Sequence, residues 1–189
     1  MLRLVLNSGS PRRRELIALL PWPCALAALP VDERVAPGLS PEEMVRSLAT
    51  QKAQAAAPAY PGCTIIGADT LVFVNGRPLG KPADREDGAR MLRLLSGKRH
   101  EVLTGLCLWN ADTGACTAAA ERTGVWVDEL TEGEIQAYLD TGDPFDKAGA
   151  YGIQGPFARH IRGVEGCYFN VVGLPVNRLY RLIREIDHP

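Results

Sequence analysis

The apolar positions change rhythm along the chain, and those changes mark the elements. Leu2 to Leu6 read as a buried first strand, followed by the turn-like run Asn7-Ser8-Gly9-Ser10. A helix is predicted from about Pro11 to Leu20 with Leu16, Leu19 and Leu20 inward. Ser10 suits its N-cap and Pro11 its first position. Ser40-Pro41-Glu42-Glu43 is a capping box that opens a second helix, with Met44, Val45, Leu48 and Ala49 inward and Lys52 within its reach. Cys63 to Val74 is strand-like, and Asn75-Gly76 is the strongest hairpin signal in the chain.

Asp84 to Leu95 has helical spacing and stops at Gly97. Glu101 to Trp109 and Thr117 to Val127 predict neighbouring strands joined through Asp112-Thr113-Gly114. Thr131 to Glu134 forms another capping box, for a helix that Gly142 closes. A glycine-rich segment follows, then short strands around Arg159 and Tyr168. The last helix, Pro175 to Ile186, turns Val176, Leu179, Ile183 and Ile186 inward. With no repeat, linker or low-complexity tract, the chain reads as mixed α/β, a single domain over residues 1–189 or two small lobes.

Composition narrows the class. Apolar residues at 46% and charged residues at 23% are ordinary for a globular enzyme. A net charge of −1 argues against non-specific grip on nucleic acid or an anionic membrane. The long uncharged stretch from Leu16 to Val31 is too short to span a bilayer and is broken by Pro21, Pro23 and Pro30. No secretory signal is evident, so the expected location is the cytoplasm. The five cysteines show no CxxC spacing, which favours free thiols. His100, His160 and His188 do not pair at metal-ligand spacing, which argues against zinc or haem.

Four segments carry candidate chemistry. Ser8-Gly9-Ser10-Pro11-Arg12-Arg13 sits where a strand turns into a helix and brings two guanidinium forks that match phosphate oxygens. A plain capped helix with solvated arginines is the alternative. Gly67-Ala68-Asp69-Thr70 drops a carboxylate into an apolar run, which is costly unless it is paired or holds a cation. Asp69 is therefore a metal ligand or general base, or else caps a turn. The chain holds 17 Arg and only four Lys, yet keeps Lys in Gly80-Lys81-Pro82 and Asp146-Lys147-Ala148, a hint of sites that want a compact ammonium. In the run from Asp146 to Gly155, Gly149, Gly152 and Gly155 permit close backbone approach, and the Gln154 amide can read a base. The alternative there is a flexible loop. No GxGxxG, P-loop or GxSxG motif is present, and nothing in the sequence unites Ser8, His100 and Asp69 as a triad. Trp109 and Trp126 fit packing better than base stacking.

Taken in order, these segments resemble the Maf family of nucleotide pyrophosphatases. The matches are Ser8 to Arg13, Glu33, Lys52, Gly67 to Thr70, Gly80-Lys81-Pro82, Ser96-Gly97 with His100, Val102 and Thr104, Asp146 to Gly155, and Asn170 to Pro175. The resemblance implies a mixed, bent β-sheet flanked by helices, two lobes around a central cleft, and a homodimer. It further implies hydrolysis of a nucleoside triphosphate to the monophosphate and pyrophosphate with Mg²⁺ or Mn²⁺. Asp69 matches the proton acceptor, while Ser8, Arg12, Arg13, Glu33, Lys52 and Lys81 match positions lining the phosphate and metal site, with Glu33 and Asp69 as the metal ligands. Arg12, Thr70 and Gln154 resemble the signature of the branch acting on dTTP and UTP, including modified uridine nucleotides. Asn7 stands where a small residue is expected before Ser8. The family's association with septum formation supplies the alternative, a non-catalytic nucleotide-sensing regulator of cell division.

Overall fold

The computed structural model describes residues 2–187, so His188 lies outside the described residues. Among the described residues, seven strands and six helices follow one another as β1 Leu4–Asn7, α1 Pro11–Ile17, β2 Cys24–Ala27, α2 Pro41–Ala56, β3 Thr64–Val74, β4 Arg77–Leu79, α3 Arg85–Leu95, β5 Arg99–Asn110, β6 Cys116–Val127, α4 Glu132–Asp140, β7 Ile161–Glu165, α5 Tyr168–Val172 and α6 Val176–Asp187. Short 3₁₀ turns fill Asp143–Asp146, Ala148–Ala150 and Pro156–His160. The strands form one mixed sheet in the order β2-β1-β3-β5-β6-β7, with β4 paired to β3. The expected mixed α/β sheet flanked by helices is present. No helix among the described residues is long and apolar enough to cross a membrane.

The chain divides into two compact units. The first holds the residues up to Asp69, Thr104–Glu121 and the chain from Gly173 on; the second holds Thr70–Leu103 and Arg122–Val172. In the first unit β1 runs parallel to both β2 and β3, with Asn7 in register with Ala27 and Gly67. Helix α2 covers this sheet through its small residues. Ala49, Ala53 and Ala56 are buried against Val5, Ile65 and Cys107. Two strand glycines permit the close approach. A Cβ on Gly67 would collide with the Ala49 carbonyl oxygen and lie 2.8 Å from Ala53 N. A Cβ on Gly105 would likewise collide with the Val45 carbonyl oxygen. The helix is started by its capping box, in which Ser40 and Glu43 bond each other's backbone N–H. At the chain's end, Trp22 Nε1 donates to Asp187 Oδ2 at 3.1 Å and the Trp22 ring meets Tyr180, which secures α6.

The second unit packs an aromatic cluster. Phe157 lies between Tyr138 and Tyr151, with ring centroids 4.9 and 5.0 Å away. The buried His100 and Tyr151 share a hydrogen bond of 2.7 Å between Nε2 and the hydroxyl. Asn75 and Gly76 both take positive φ, 50° and 73°, in the two-residue turn between β3 and β4, as their hairpin signal requires. Trp126 packs beneath the Arg99 guanidinium, 5.3 Å from the ring centroid, and Trp109 packs on the first unit's core.

Several local expectations differ from the structure. Helix α1 ends at Ile17 because Leu20 precedes a proline and the chain tightens first. Leu16 and Ile17 form its buried face, and Leu19 is exposed. Ser10 occupies the N-cap position, but its side chain makes no cap bond; Ser8 Oγ instead accepts from Ser10 N at 3.2 Å. The stretch read only as too broken to span a membrane contains strand β2. Arg159 lies in a 3₁₀ turn begun by Pro156, and Tyr168 opens a helix. Beyond β7, Thr123 Oγ1 bonds both the N–H and the C=O of Cys167 at 3.1 Å. That takes the backbone out of the ladder and lets α5 begin. In α6 the buried residues are Leu179, Leu182 and Ile183, with Val176 and Ile186 only half-buried.

Two tests follow from this packing. Gly67→Ala forces α2 off the sheet and should cost about 3 kcal/mol in urea unfolding, with no loss if the helix can shift freely. Burial, and then the nearby charge of Arg99, lowers the His100 pKa from 6.5 to about 4. Between those values the unfolded chain binds the extra proton, so this contribution is complete above pH 6.5 and lost as pH falls through 4. It amounts to about 3 kcal/mol. Comparing unfolding of wild type and His100→Asn at several pH values should show this slope in the wild type alone.

Candidate functional site

In the first unit, three residues from separate elements meet. Lys52 projects from the fourth turn of α2, Asp69 lies on β3 and Glu33 sits in the loop between β2 and α2. Asp69 shares a strand face with Gly67, two residues before it. The glycine that admits α2 therefore also brings Lys52 over the carboxylate. Lys52 Nζ is ion-paired with Asp69 Oδ1 and lies 3.1 Å from Glu33 Oε1. The Asp69 side chain is 9% exposed and that of Lys52 17%, so the pair is largely withdrawn from water. The other carboxylate oxygen, Asp69 Oδ2, is buried and accepts no hydrogen bond. A buried, unsatisfied carboxylate oxygen is costly unless it serves a ligand or a reaction.

Arg13 adds a cation close by. Its Nε donates to the Gly173 carbonyl at 2.8 Å, which fixes the guanidinium. Burial lowers the Arg13 pKa, Asp69 and Glu33 oppose that, and Arg12 adds to it. Arg13 is thus in electrostatic reach of both carboxylates and of Arg12. Ser8 is buried in the turn after β1; its N–H donates to Ala27 O at 2.9 Å, and its carbonyl accepts from Arg14 Nε at 3.2 Å. The residues expected to handle phosphate and metal in this unit are therefore Ser8, Arg12, Arg13, Glu33, Lys52 and Asp69, of which Glu33, Lys52 and Asp69 are in direct contact.

Thr70, Lys81 and Gln154 belong to the second unit. Thr70 is half-buried on β3, and Lys81 and Gln154 are exposed. The segments of Lys81 and Gln154 are joined by a bond from Gly149 N to Gly80 O at 2.9 Å. Gly149 has φ 71°, and a Cβ there would lie 2.9 Å from the Val72 side chain, so both conformation and space require glycine.

The lysine in Asp146-Lys147-Ala148 has a bracing task. Lys147 Nζ donates to Asp143 O at 2.6 Å, Asp143 Oδ1 at 2.9 Å and Asp146 Oδ1 at 2.7 Å. Three acceptors match the three protons of an ammonium, which a planar guanidinium could not satisfy in that arrangement. Asp143 Oδ2 accepts from the Tyr138 hydroxyl at 2.6 Å, and the Tyr138 hydroxyl oxygen in turn accepts from Gly152 N at 3.0 Å. Cβ atoms on Gly152 and Gly155 would press on Lys147 and Asp143. The glycine spacing thus lets the loop that carries Gln154 wrap an internal ion pair. Sequence reasoning did not single out Asp143 or Tyr138. Only the pairing chemistry of the capped helix end could have suggested them.

With this geometry in view, comparison places the chain among known proteins. Residues 3–186 match the family described as Maf-like protein, and the chain belongs to that family. It is 47% identical over 188 residues to a dTTP/UTP pyrophosphatase of Pelotomaculum thermopropionicum, covering 100% of this chain and 98% of the relative. A dTTP/UTP pyrophosphatase of Symbiobacterium thermophilum is 46% identical over 189 residues, covering 100% and 96%. One from Bacillus velezensis is 44% identical over 185 residues, covering 98% and 97%.

The brace is testable. Asp143→Ala removes one of the three Lys147 acceptors, Oδ1, together with the acceptor of the Tyr138 hydroxyl, and should cost about 2 kcal/mol, with faster proteolysis between residues 143 and 155. Unchanged melting and protease resistance would show that the ion pair does not hold the loop.

Proposed function

We propose that this chain hydrolyses dTTP and UTP, and modified uridine triphosphates, to the nucleoside monophosphate and pyrophosphate. The observation that carries the reading is Asp69, a buried carboxylate with one oxygen held by Lys52 and the other without a hydrogen bond. Asp69 is the proton acceptor. Its carboxylate takes a proton from the water that attacks the anhydride between the α and β phosphates, while Lys52 keeps Oδ1 in place. Arg12, Arg13 and Lys52 neutralise charge that grows on the departing pyrophosphate. Ser8 and Lys81 contact the phosphates, and Thr70 and Gln154 select the base. A neutral Gln154 amide suits an uncharged pyrimidine.

The donor set also fits a divalent cation. Glu33 and Asp69 offer hard carboxylate oxygens, one of them the unsatisfied Oδ2, and would hold Mg²⁺ or Mn²⁺ together with the triphosphate. Such an ion supplies positive charge against the phosphate oxygens and makes water more acidic. The names of the relatives support the pyrimidine substrate. The working form is a cytoplasmic homodimer that needs neither nucleic acid nor membrane. A nucleotide sensor without catalysis is the weaker reading, since carboxylates beside a phosphate site repel nucleotide unless they serve a cation or a reaction.

Pyrophosphate release from dTTP, UTP, CTP, GTP and 7-methyl-GTP, with Mg²⁺ or Mn²⁺ and with chelator, tests the reading. We expect metal-dependent cleavage of dTTP and UTP, and a loss of roughly 10³-fold in Asp69→Asn with normal folding. Near-normal turnover by Asp69→Asn would remove Asp69 as proton acceptor. Preference for 7-methyl-GTP would overturn the base selection, and binding without hydrolysis would favour the sensor.

A further inference from the structure

We infer that two amide side chains, Asn7 and Gln51, are positioning residues that hold Glu33 and Lys52 in place for the chemistry at Asp69. This rests on the proposed reaction. Asn7 ends β1, in register with Gly67 on the neighbouring parallel strand, so the two residues face the same side of the sheet. That side is the one α2 covers. Asn7 is buried and both ends of its amide are used. Nδ2 donates to the backbone carbonyl of Lys52 at 2.8 Å, and Oδ1 accepts from Leu29 N at 2.9 Å. One side chain thus ties the backbone of the proposed catalytic lysine to the start of the loop that carries Glu33.

Gln51 closes the loop from the other side. Its Oε1 accepts from Arg34 N at 2.8 Å and its Nε2 donates to Arg34 O at 2.8 Å. Nε2 also reaches Ser47 Oγ, one turn back along α2, at 3.2 Å. Glu33 immediately precedes Arg34, so its backbone is held between two anchored points, Leu29 and Arg34. Both anchors come from residues adjacent to the site elements they fix. Without them a loop of this length would sample many conformations, and the exposed half of Glu33 would be lost to solvent. A small residue at position 7, as the family resemblance leads one to expect, could make neither bond. The Asn7 half of the clamp therefore departs from what that resemblance leads one to expect.

The test uses the full chain with dTTP as substrate and Mn²⁺ as the metal. Gln51 is half-buried on a helix face, so Gln51→Ala should fold normally. Its melting midpoint should stay within about 2 °C of wild type. We expect kcat to fall about tenfold with little change in KM, and the Mn²⁺ affinity read by paramagnetic titration to weaken by a similar factor. Gln51→Glu keeps the acceptor for Arg34 N and should recover part of both. Asn7→Asp keeps the acceptor for Leu29 N but turns an oxygen toward the Lys52 carbonyl. It should lose at least as much kcat as Asn7→Ala.

Wild-type kcat and Mn²⁺ affinity in Gln51→Ala, or full activity in Asn7→Asp, would overturn the clamp. A fall in melting midpoint with unchanged kcat per folded molecule would make both residues merely structural, and would also overturn it. If wild type cleaves no nucleotide, the proposed reaction fails, and the Mn²⁺ titration still decides whether the amides order Glu33.

Discussion

The first unit is organised around a missing side chain. Gly67 leaves no Cβ on the face of β3 that meets α2, and Ala49 and Ala53 answer with the smallest chiral side chain. Helix and strand backbones can then lie in contact, and every later feature of this unit's site uses that distance. Asp69 follows Gly67 on the same face, Lys52 follows Ala49 on the facing side of α2, and a four-carbon stem is enough to join them. A larger residue at 67 would lift the helix by a side-chain layer. The ion pair would then have to form across water, where it contributes little.

On the proposed reaction, function and stability pull in opposite directions at that pair. Asp69 is withdrawn from solvent with only one of its two oxygens satisfied, which lowers stability. The unit's apolar core, including Val5, Ile65 and Ala53, offsets that loss by burial. Such an imbalance is what a reactive carboxylate needs, since an acid fully engaged by protein donors has little basicity left for a substrate water. The second unit makes the opposite choice at Lys147, where three acceptors saturate the ammonium and stiffen a glycine-rich loop. On the proposed reaction, one lysine is placed to act and the other to hold.

How much of this was legible depended on how local the physics was. The capping boxes at Ser40–Glu43 and Thr131–Glu134 and the Asn75-Gly76 turn were readable because each is decided within four residues. Strand β2 was not, since a four-residue strand broken off by prolines has no period of its own. Tyr168 looked strand-like until Thr123, 45 positions earlier, proved to occupy the backbone groups a strand would need. The candidate site divides the same way. Asp69 announced itself as a charge in an apolar run, and Arg12 and Arg13 as paired cations beside a turn. That Lys52 meets both Glu33 and Asp69 is a fact of tertiary packing, which resemblance to a family suggested and no spacing rule could. Asn7 stood out only as a departure from the family pattern and Gln51 not at all, because an amide's partners are visible only once the chain has folded.

The central claim is that the unsatisfied oxygen of Asp69 is where substrate chemistry takes place. Diffraction at the manganese edge tests it most directly, on crystals grown with Mn²⁺ and a dTTP analogue whose α–β bridge resists hydrolysis. The account predicts an anomalous peak within about 2.3 Å of Asp69 Oδ2, with Glu33 beside it, Lys52 still on Oδ1 and the α phosphate facing the site. Manganese held by the triphosphate alone, or a nucleotide bound away from Lys52 and Asp69, would contradict it.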